Sequence, residues 1–174
     1  MREARAAIEA SGEACPLVTG AGTGSFVNEA ASGLWGELQT GSYVFMDRDY
    51  ADNDASPGAA RFEHALFVKT QVISRGRDRA VVDAGHKCHA IDSGLPRVWH
   101  RDDLVFANGG DEHGILQRRD VAGDLPALGE TVWLVPGHCD PTVNLHDRLI
   151  GVRGGIERGV VERLITVDAR GCVG

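Results

Sequence analysis

The 174-residue sequence is poor in several residue types, and each shortage excludes a class of protein. It has only two lysines, and its formal net charge is −7. Without a basic patch, nucleic acid is not an expected partner. The four cysteines form no CxxC pair, which excludes the common zinc and dithiol motifs. No apolar run approaches the ~20 residues that a membrane-spanning helix requires.

The remaining composition is that of a globular chain. Hydrophobic residues make up 43% of the sequence, enough to build a core and to exclude wholesale disorder. The length suits one domain, or a modest domain with a fragment of another. Residues 1–9 are typical of a charged helix and not of a signal peptide. We therefore expect a cytoplasmic protein with free thiols.

The first 50 residues have an α/β pattern. Good helix formers over residues 2–10 predict a helix that ends before Gly12. Apolar stretches predict strands over residues 14–19 and 38–46, with a short helical crossover at 28–35 between them.

A change of pattern follows residues 51–60, where Asp, Asn, Ser, Pro and Gly indicate a surface linker. Residues 61–174 are predicted to be mainly β, as a small barrel or sandwich. The predicted strands cover residues 62–74, 79–83, 97–106, 114–117, 131–135, 149–152 and 160–167. Gly154 and Gly155 indicate a hairpin turn before the last of them.

One short motif places His138 and Asp140 two residues apart between Pro136 and Pro141. On an extended segment such residues point to the same side, so an imidazole and a carboxylate would face one divalent metal ion. The alternative is a polar turn after a strand. On the extended segment Cys139 lies between the two proposed ligands, so it would point to the opposite side and pack in the interior, although it could also serve as a soft ligand.

A glycine-rich loop spans residues 20–24 and follows a predicted strand. Such loops bind phosphate through backbone amides and a hydroxyl, here that of Thr23. A dinucleotide site is excluded because Ser25 occupies the position where GxGxxG requires glycine. The alternative is a glycine-rich turn without a ligand.

Four blocks of sequence, in order, resemble the D-threonine aldolase and D-serine dehydratase group of alanine-racemase-type enzymes, which use pyridoxal 5′-phosphate (PLP). They are residues 18–24 (VTGAGTG), 37–47 (ELQTGSYVFMD), 81–96 (VVDAGHK followed by DSGLP) and 135–147 (VPGHCDPTVNLHD), with the shorter 111–114 (DEHG) between the last two. The resemblance runs from about residue 15 to residue 172. It implies the end of a PLP-binding βα barrel in residues 1–50 and a metal-binding β domain in residues 61–174, as the C-terminal part of a longer protein.

The same resemblance implies a set of site residues. His138 and Asp140 would hold the metal ion. The PLP phosphate would be held by Gly22, Thr23, Gly41, Ser42 and Tyr43. For Tyr43, an aromatic side chain in the core of a strand is the alternative. The related dehydratases carry His-X-Cys, a softer pair than the His-X-Asp of this chain. The harder pair favours manganese or magnesium over zinc. It thereby also favours an aldolase over a dehydratase.

A PLP enzyme also needs a lysine that holds the cofactor through a Schiff base. Lys69 and Lys87 do not match the position of that lysine in the group, which lies early in the barrel. The chain by itself is therefore expected to be inactive, and no catalytic residue is identified. His113, beside Asp111 and Glu112, is a candidate for assisting proton transfer, with a solvated turn as the alternative.

The predicted function is cleavage of D-3-hydroxy amino acids to glycine and an aldehyde. The alternatives are 3-hydroxy-D-aspartate aldolase, D-serine dehydratase and, from a different class, a non-catalytic metal-binding β domain. The expected partner is a small D-amino acid, with neither nucleic acid nor membrane, and the complete enzyme is expected to be a homodimer. Asp83, Asp92 and Arg97 are expected to be turn and salt-bridge residues.

Overall fold

A computed structural model of the chain describes residues 1–54, 58 and 60–171. Residues 55–57 and 59 of the predicted linker lie outside the described residues, as does Cys172.

Residues 1–38 contain two helices and a pair of very short strands. The predicted first helix, α1, spans Arg2–Ala10, and Gly12 follows it with a φ of +93°. The two strands, β1 (Thr19–Gly20) and β2 (Glu37–Leu38), are parallel and enclose α2 (Phe26–Ala31). Both strands therefore end at the same edge, where the glycine-rich loop also lies.

The strand predicted over residues 38–46 is wrong beyond Leu38. Ser42–Val44 instead form a 3₁₀ turn, and Met46 has a φ of +51°. The carbonyl of Ser42 accepts hydrogen bonds from the amides of Phe45, at 3.1 Å, and Met46, at 2.7 Å. These local bonds use groups that a strand would direct to a neighbour, and β1 offers a partner over two residues only.

The residues that lead into the predicted linker are helical, because Arg48–Ala51 form a short helix, α3. Asp47 caps it, since its Oδ1 accepts a hydrogen bond of 3.0 Å from the amide of Tyr50. Aspartate favours this position because its carboxylate satisfies an amide that has no partner within the helix.

Six antiparallel strands form the main sheet. They are β3 (Val68–Arg75), β4 (Arg79–Val82), β5 (Arg97–Val98), β6 (Leu104–Asn108), β7 (Gly114–Arg118) and β8 (Thr131–Val135). Their order is β5-β8-β3-β4-β7-β6, and the edge strands β5 and β6 contact each other. The sheet is thus a nearly closed barrel, which confirms the predicted mainly β architecture. The single strand predicted over residues 97–106 is split in two, with His100 at a φ of +55° between the halves.

The core of the barrel is built from alternate strand residues. In β3, Val68, Thr70 and Val72 are buried while the residues between them are exposed, as the period of two requires. The buried cluster consists of Val68, Val72, Ala80, Val82, Ala84, Val98, Leu104, Phe106, Leu116, Leu125, Val132 and Leu134. Burial of each valine, leucine or phenylalanine contributes about 1.5–3 kcal/mol, so the barrel is a stable support for its loops.

The C-terminal region adds one helix and a separate hairpin. The helix, α4, spans Cys139–Asn144 and is joined to β8 by residues 136–138. The hairpin pairs β9 (Arg148–Arg153) with β10 (Val160–Thr166), and Gly154 and Gly155 adopt positive φ in the turn, as predicted. Across the residues described, no helix has the length and apolar character needed to cross a bilayer.

Asp83 joins β3 to the end of β4. Its Oδ1 accepts hydrogen bonds from the Thr70 hydroxyl, at 2.6 Å, and from the Gln71 amide, at 2.8 Å. Partial burial raises the pKa of Asp83, but the hydrogen bonds from Gln71 and Thr70 outweigh it, so the pKa lies below its ordinary value. The ionised form is thus favoured in the folded state, and its contribution is present above the unfolded pKa of about 3.9 and lost as the pH falls through the folded pKa.

We expect the Asp83→Asn variant to be less stable than the parent at pH 7, with a difference that shrinks as the pH falls below about 4. Urea unfolding followed by circular dichroism between pH 7 and pH 3 measures this difference. Asp78→Asn is the matched control, since the Asp78 side chain is 82% exposed and should give little difference at any pH. A destabilisation by Asp83→Asn that does not change with pH would contradict the assignment.

Candidate metal centre

His138 and Asp140 lie at the start of α4, and not on an extended segment as predicted. His138 is the residue that caps the helix, with φ −141° and ψ 125°, and Asp140 is the second residue of its first turn. Pro141 does not prevent the helix because the amides of a first turn have no partner within the helix. The two side chains nevertheless converge, with 3.8 Å between His138 Nε2 and Asp140 Oδ2.

A second carboxylate contacts the other nitrogen of the same imidazole. Asp92 Oδ2 lies 2.6 Å from His138 Nδ1, although the two residues are 46 positions apart in the chain. Burial lowers the pKa of His138, but the hydrogen bond and charge of Asp92, with the charges of Asp140 and Asp47, outweigh it and raise the pKa above its ordinary value. The hydrogen bond from His138 in turn holds the pKa of Asp92 below its usual range. Asp92 is therefore an ionised acceptor for this ring.

The fully buried carboxylate of Asp47 fixes the start of α4. Its Oδ2 accepts a hydrogen bond of 2.8 Å from the Cys139 amide, while its Oδ1 caps α3 through Tyr50. One side chain thus satisfies free amides of two helices, which sets the position of α4 relative to α3.

Backbone hydrogen bonds reinforce the same junction. The amides of Arg48 and Asp49 donate to the carbonyls of Pro136 and Gly137, each at 3.0 Å. The segment before His138 is therefore held on both sides, by the barrel strand β8 and by α3. This arrangement keeps the backbone of residues 136–140, the candidate metal loop, in one place.

Cys139 is completely buried at the start of α4. Burial, together with the hydrogen bond and charge of Asp47 and the charge of Asp140, raises the pKa of its thiol to about 12, against an opposing hydrogen bond with Ser42. The thiol is held in the interior in its uncharged form, which agrees with the predicted packing role.

The residues predicted to hold phosphate lie together after the parallel strands β1 and β2. Tyr43 donates its amide to the Thr23 hydroxyl at 3.1 Å, so the glycine-rich loop and the 3₁₀ turn are joined. Thr23 and Ser42 are each 6% exposed. A Cβ at Gly41 would meet no atom within 4 Å, so there is open space beside that backbone, and at Gly22 the nearest atom would be the Tyr50 hydroxyl at 3.8 Å.

Packing explains two residues of this region. Tyr43 is 42% exposed, with its ring 5.3 Å from that of Phe62, so the alternative of a core aromatic on a strand is wrong. Gly20 is required by packing, because a Cβ there would lie 2.4 Å from the ring of Trp35. The indole of Trp35 is itself held by a hydrogen bond to Glu29.

The 3₁₀ turn that contains the predicted phosphate residues is a neighbour of the candidate metal loop. Asp47 lies three residues after the 3₁₀ turn at Ser42–Val44, and its Oδ2 accepts the hydrogen bond from the Cys139 amide. The fold thus brings together residues that are about one hundred positions apart in the chain.

Three other polar residues singled out in the sequence, Asp111, Glu112 and Arg97, lie in surface ion pairs. Asp111 Oδ1 is 3.1 Å from His86 Nε2, and Glu112 Oε1 is 3.1 Å from Lys87 Nζ. His113 is exposed beside them. Arg97 pairs with Asp52 at 2.8 Å, which confirms its predicted salt-bridge role.

Sequence reasoning missed the contribution of two carboxylates to this site. Asp47 carried a usable signal, since an aspartate immediately before a short helical stretch is a common cap. Asp92 carried none, because its partner His138 is distant in the chain. In the part of the chain that the structure describes, no group of three or more His, Cys, Asp or Glu side chains is arranged around one point as a metal cluster. The predicted ligands remain His138 and Asp140, whose closest nitrogen and oxygen are 3.8 Å apart.

Comparisons with known proteins give consistent results. The family profile described as "Putative serine dehydratase domain" matches residues 65–152. The chain is 44% identical to 3-hydroxy-D-aspartate aldolase from Paracoccus denitrificans over an alignment of 176 positions, which covers 98% of this chain and 44% of that protein. It is also 44% identical to D-threonine aldolase from Arthrobacter sp. over 165 residues, which is 94% of this chain and 42% of that protein.

Among solved structures, the crystal structure of D-threonine aldolase from Filomicrobium marinum matches with a TM-score of 0.89 and 49% identity. The match covers 99% of this chain and 46% of that one. The chain thus spans less than half the length of the relatives that it matches.

Proposed function

Since the chain belongs to the serine dehydratase domain family, alongside D-threonine aldolases and 3-hydroxy-D-aspartate aldolases, we propose that it is the C-terminal part of a cytoplasmic aldolase that depends on PLP and a divalent metal ion. The complete enzyme, a homodimer, would cleave a D-3-hydroxy amino acid to glycine and an aldehyde. The observation that carries this proposal is the convergence of His138 and Asp140, 3.8 Å apart, at a helix start that Asp47 joins to the Ser42–Val44 turn.

The donor set fits a hard divalent cation. Two atoms bound at right angles to an octahedral ion, with bonds of about 2.1 Å, are about 3.0 Å apart, so a small movement of the exposed Asp140 side chain from the present 3.8 Å lets the nitrogen and the oxygen share it. Imidazole and carboxylate ligands suit manganese or magnesium, and both ions keep several water molecules. The Asp140 side chain is 72% exposed, which leaves room for those waters and for a substrate oxygen.

The glycine loops fit the phosphate of PLP. The residues that would hold it are Gly22, Thr23, Gly41, Ser42 and Tyr43. Their support is the placement of two loops after adjacent parallel strands, which is where phosphate sites of βα barrels commonly lie. Two buried hydroxyls and an open approach to Gly41 add to it.

The role of this chain in the reaction is positioning. When bound, PLP supplies an electron sink for the carbanion left by carbon–carbon cleavage, and the metal ion supplies a Lewis acid for the substrate hydroxyl. His138 and Asp140 would orient that hydroxyl, and the two glycine loops would fix the opposite end of the substrate complex through the phosphate. The Asp47 junction holds the two groups of residues at a constant separation.

The related dehydratases carry His-X-Cys where this chain has His-X-Asp. The harder His-X-Asp pair therefore favours an aldolase over a dehydratase. Two substrates remain to be separated, because relatives named for D-threonine and for 3-hydroxy-D-aspartate match with the same identity of 44%. D-Threonine is the first choice, supported by the 49% identity to the Filomicrobium marinum enzyme.

The lysine that holds PLP would come from outside this chain. Lys87 pairs with Glu112 at 3.1 Å, and Lys69 Nζ lies 5.9 Å from the centre of the Trp133 ring. Both lysines thus have their own partners in the β domain, and neither belongs to the loops proposed to hold the phosphate.

The test is retro-aldol activity with PLP and Mn²⁺, using this chain and a chimera in which it replaces the matching C-terminal part of the Filomicrobium marinum enzyme. Production of glycine from D-threonine by the chimera alone would support the proposal. A chimera that is folded and binds PLP but is inactive on D-threonine, on D-threo-3-hydroxyaspartate and on D-serine would overturn it. Manganese binding by such an inactive protein would favour a non-catalytic metal-binding domain.

A further inference from the structure

The imidazole of His138 is flanked by two carboxylates on opposite edges. Asp92 Oδ2 contacts Nδ1 at 2.6 Å, and Asp140 Oδ2 lies 3.8 Å from Nε2. The shorter distance is a direct hydrogen bond, whereas the longer one leaves space for an ion. Because the two nitrogens point in different directions, the two carboxylates have different roles.

The contact between Asp92 and His138 is set by the backbone on both sides. Gly137 and Gly94 are in close backbone contact, since a Cβ at Gly137 would lie only 2.1 Å from the Gly94 carbonyl oxygen. The buried Thr142 hydroxyl donates to the His138 carbonyl at 2.6 Å and accepts from the Ala90 amide at 3.0 Å. Residues 90–94 are thus attached to the candidate metal loop at two points next to the contact between Asp92 and His138.

We propose that Asp92 is a positioning residue that holds the proton of neutral His138 on Nδ1 and directs the lone pair of Nε2 toward the metal ion held with Asp140. The inference rests on the proposed metal site. An ionised carboxylate only accepts hydrogen bonds, so the nitrogen that it contacts must carry a hydrogen. In a neutral imidazole the other nitrogen is then the free ligand.

This role accounts for the geometry of both carboxylates. Outer carboxylates that accept a hydrogen bond from a ligating histidine fix its tautomer and ring orientation. Asp92 is 53% exposed at its side chain, so its placement beside His138 does not follow from burial in the core. Both backbone attachments would instead serve to keep it there.

The first experiment measures the tautomer without a metal ion. Long-range ¹H–¹⁵N correlation spectra of the imidazoles, recorded at a pH where His138 is neutral, distinguish the Nδ1–H from the Nε2–H form. The signals of His138 are assigned by their loss in His138→Ala. We expect the Nδ1–H form in the parent and its loss in Asp92→Ala. Asp92→Asn should keep it, because its amide oxygen still accepts from Nδ1–H.

The second experiment measures Mn²⁺ affinity in the 174-residue chain by electron paramagnetic resonance of the free ion. Asp92→Ala should raise the Kd by about 10–100-fold, the usual cost of losing an outer carboxylate. Asp92→Asn should raise it less. Asp111→Ala, which removes a carboxylate that is 66% exposed at another surface, should leave it unchanged.

Retention of the Nδ1–H form in Asp92→Ala together with the parental affinity would overturn the inference. So would a loss of affinity equal to that of Asp140→Ala, since Asp92 would then be a ligand. A parent that binds no Mn²⁺ contradicts the proposed metal site, while the tautomer of Asp92→Ala still decides whether Asp92 positions the ring.

Discussion

The Gly137→Ala variant is expected to lose about 1–3 kcal/mol of folding free energy, the usual cost of forcing extra volume into a packed site. The new Cβ would lie 2.1 Å from the Gly94 carbonyl oxygen, where ordinary contact requires more than 3.4 Å. Neither backbone can move freely. Gly137 accepts a hydrogen bond from the Asp49 amide, and Gly94 has a φ of +109° that few other residues adopt.

The same substitution should weaken Mn²⁺ binding, because separating the two glycine backbones also separates Asp92 from His138. Urea unfolding and Mn²⁺ titration of the purified chain measure the two effects. Gly76→Ala is the matched control, since a Cβ there would approach the Arg79 carbonyl oxygen no closer than 3.6 Å. Equal stability and affinity in Gly137→Ala and the parent would show that the glycine contact does not position the loop.

Three strands of the barrel were predicted closely because each carries its own evidence. β8 was predicted at Thr131–Val135 and is observed there, and β4 and β7 each differ from their predictions by one residue. These segments are short runs of mostly apolar residues bounded by turn residues, which is typical of strands, and alternate positions are buried inside the barrel. The prediction needed no information about neighbours.

The amino-terminal strands were predicted too long for a related reason. A parallel strand needs partners on its edges, and β1 and β2 pair over only two residues with each other. Beyond Leu38 the chain therefore satisfies its amides locally, in the 3₁₀ turn at Ser42–Val44. Apolar composition alone does not distinguish such a segment from a paired strand.

The two residues predicted to bind a metal ion, His138 and Asp140, lie close together, but the extended local geometry predicted for them was wrong. Helix α4 is stabilised at its start by Asp47, which is 92 residues away from Cys139. The pairing of Asp92 with His138 depends in the same way on contacts between distant segments. Pattern within a short window identifies which chemical groups are available, whereas their arrangement depends on the tertiary fold.

His138→Ala and Asp140→Ala are expected to have the largest effect on metal binding, raising the Kd for Mn²⁺ by more than about 100-fold, since even outer-sphere partners of metal ligands cost about 10–100-fold. Each variant leaves one protein ligand, and a single imidazole or carboxylate holds a hydrated ion weakly. Asp140→Ala should leave folding nearly unchanged, because its side chain is 72% exposed and Asp47 holds the start of α4.

The decisive comparison is therefore Asp140→Ala against Asp111→Ala, two exposed carboxylates of similar accessibility, at 72% and 66%. If both bind Mn²⁺ like the parent, the ion does not bind between His138 and Asp140, and the proposed function loses the observation on which it stands. If only Asp140→Ala loses the ion while its unfolding curve matches the parent, the loss is one of a ligand and not of structure. Competition with Zn²⁺ and Mg²⁺ in the same titration then tests the preference that the oxygen–nitrogen pair implies, because softer, thiolate-type sites would favour zinc.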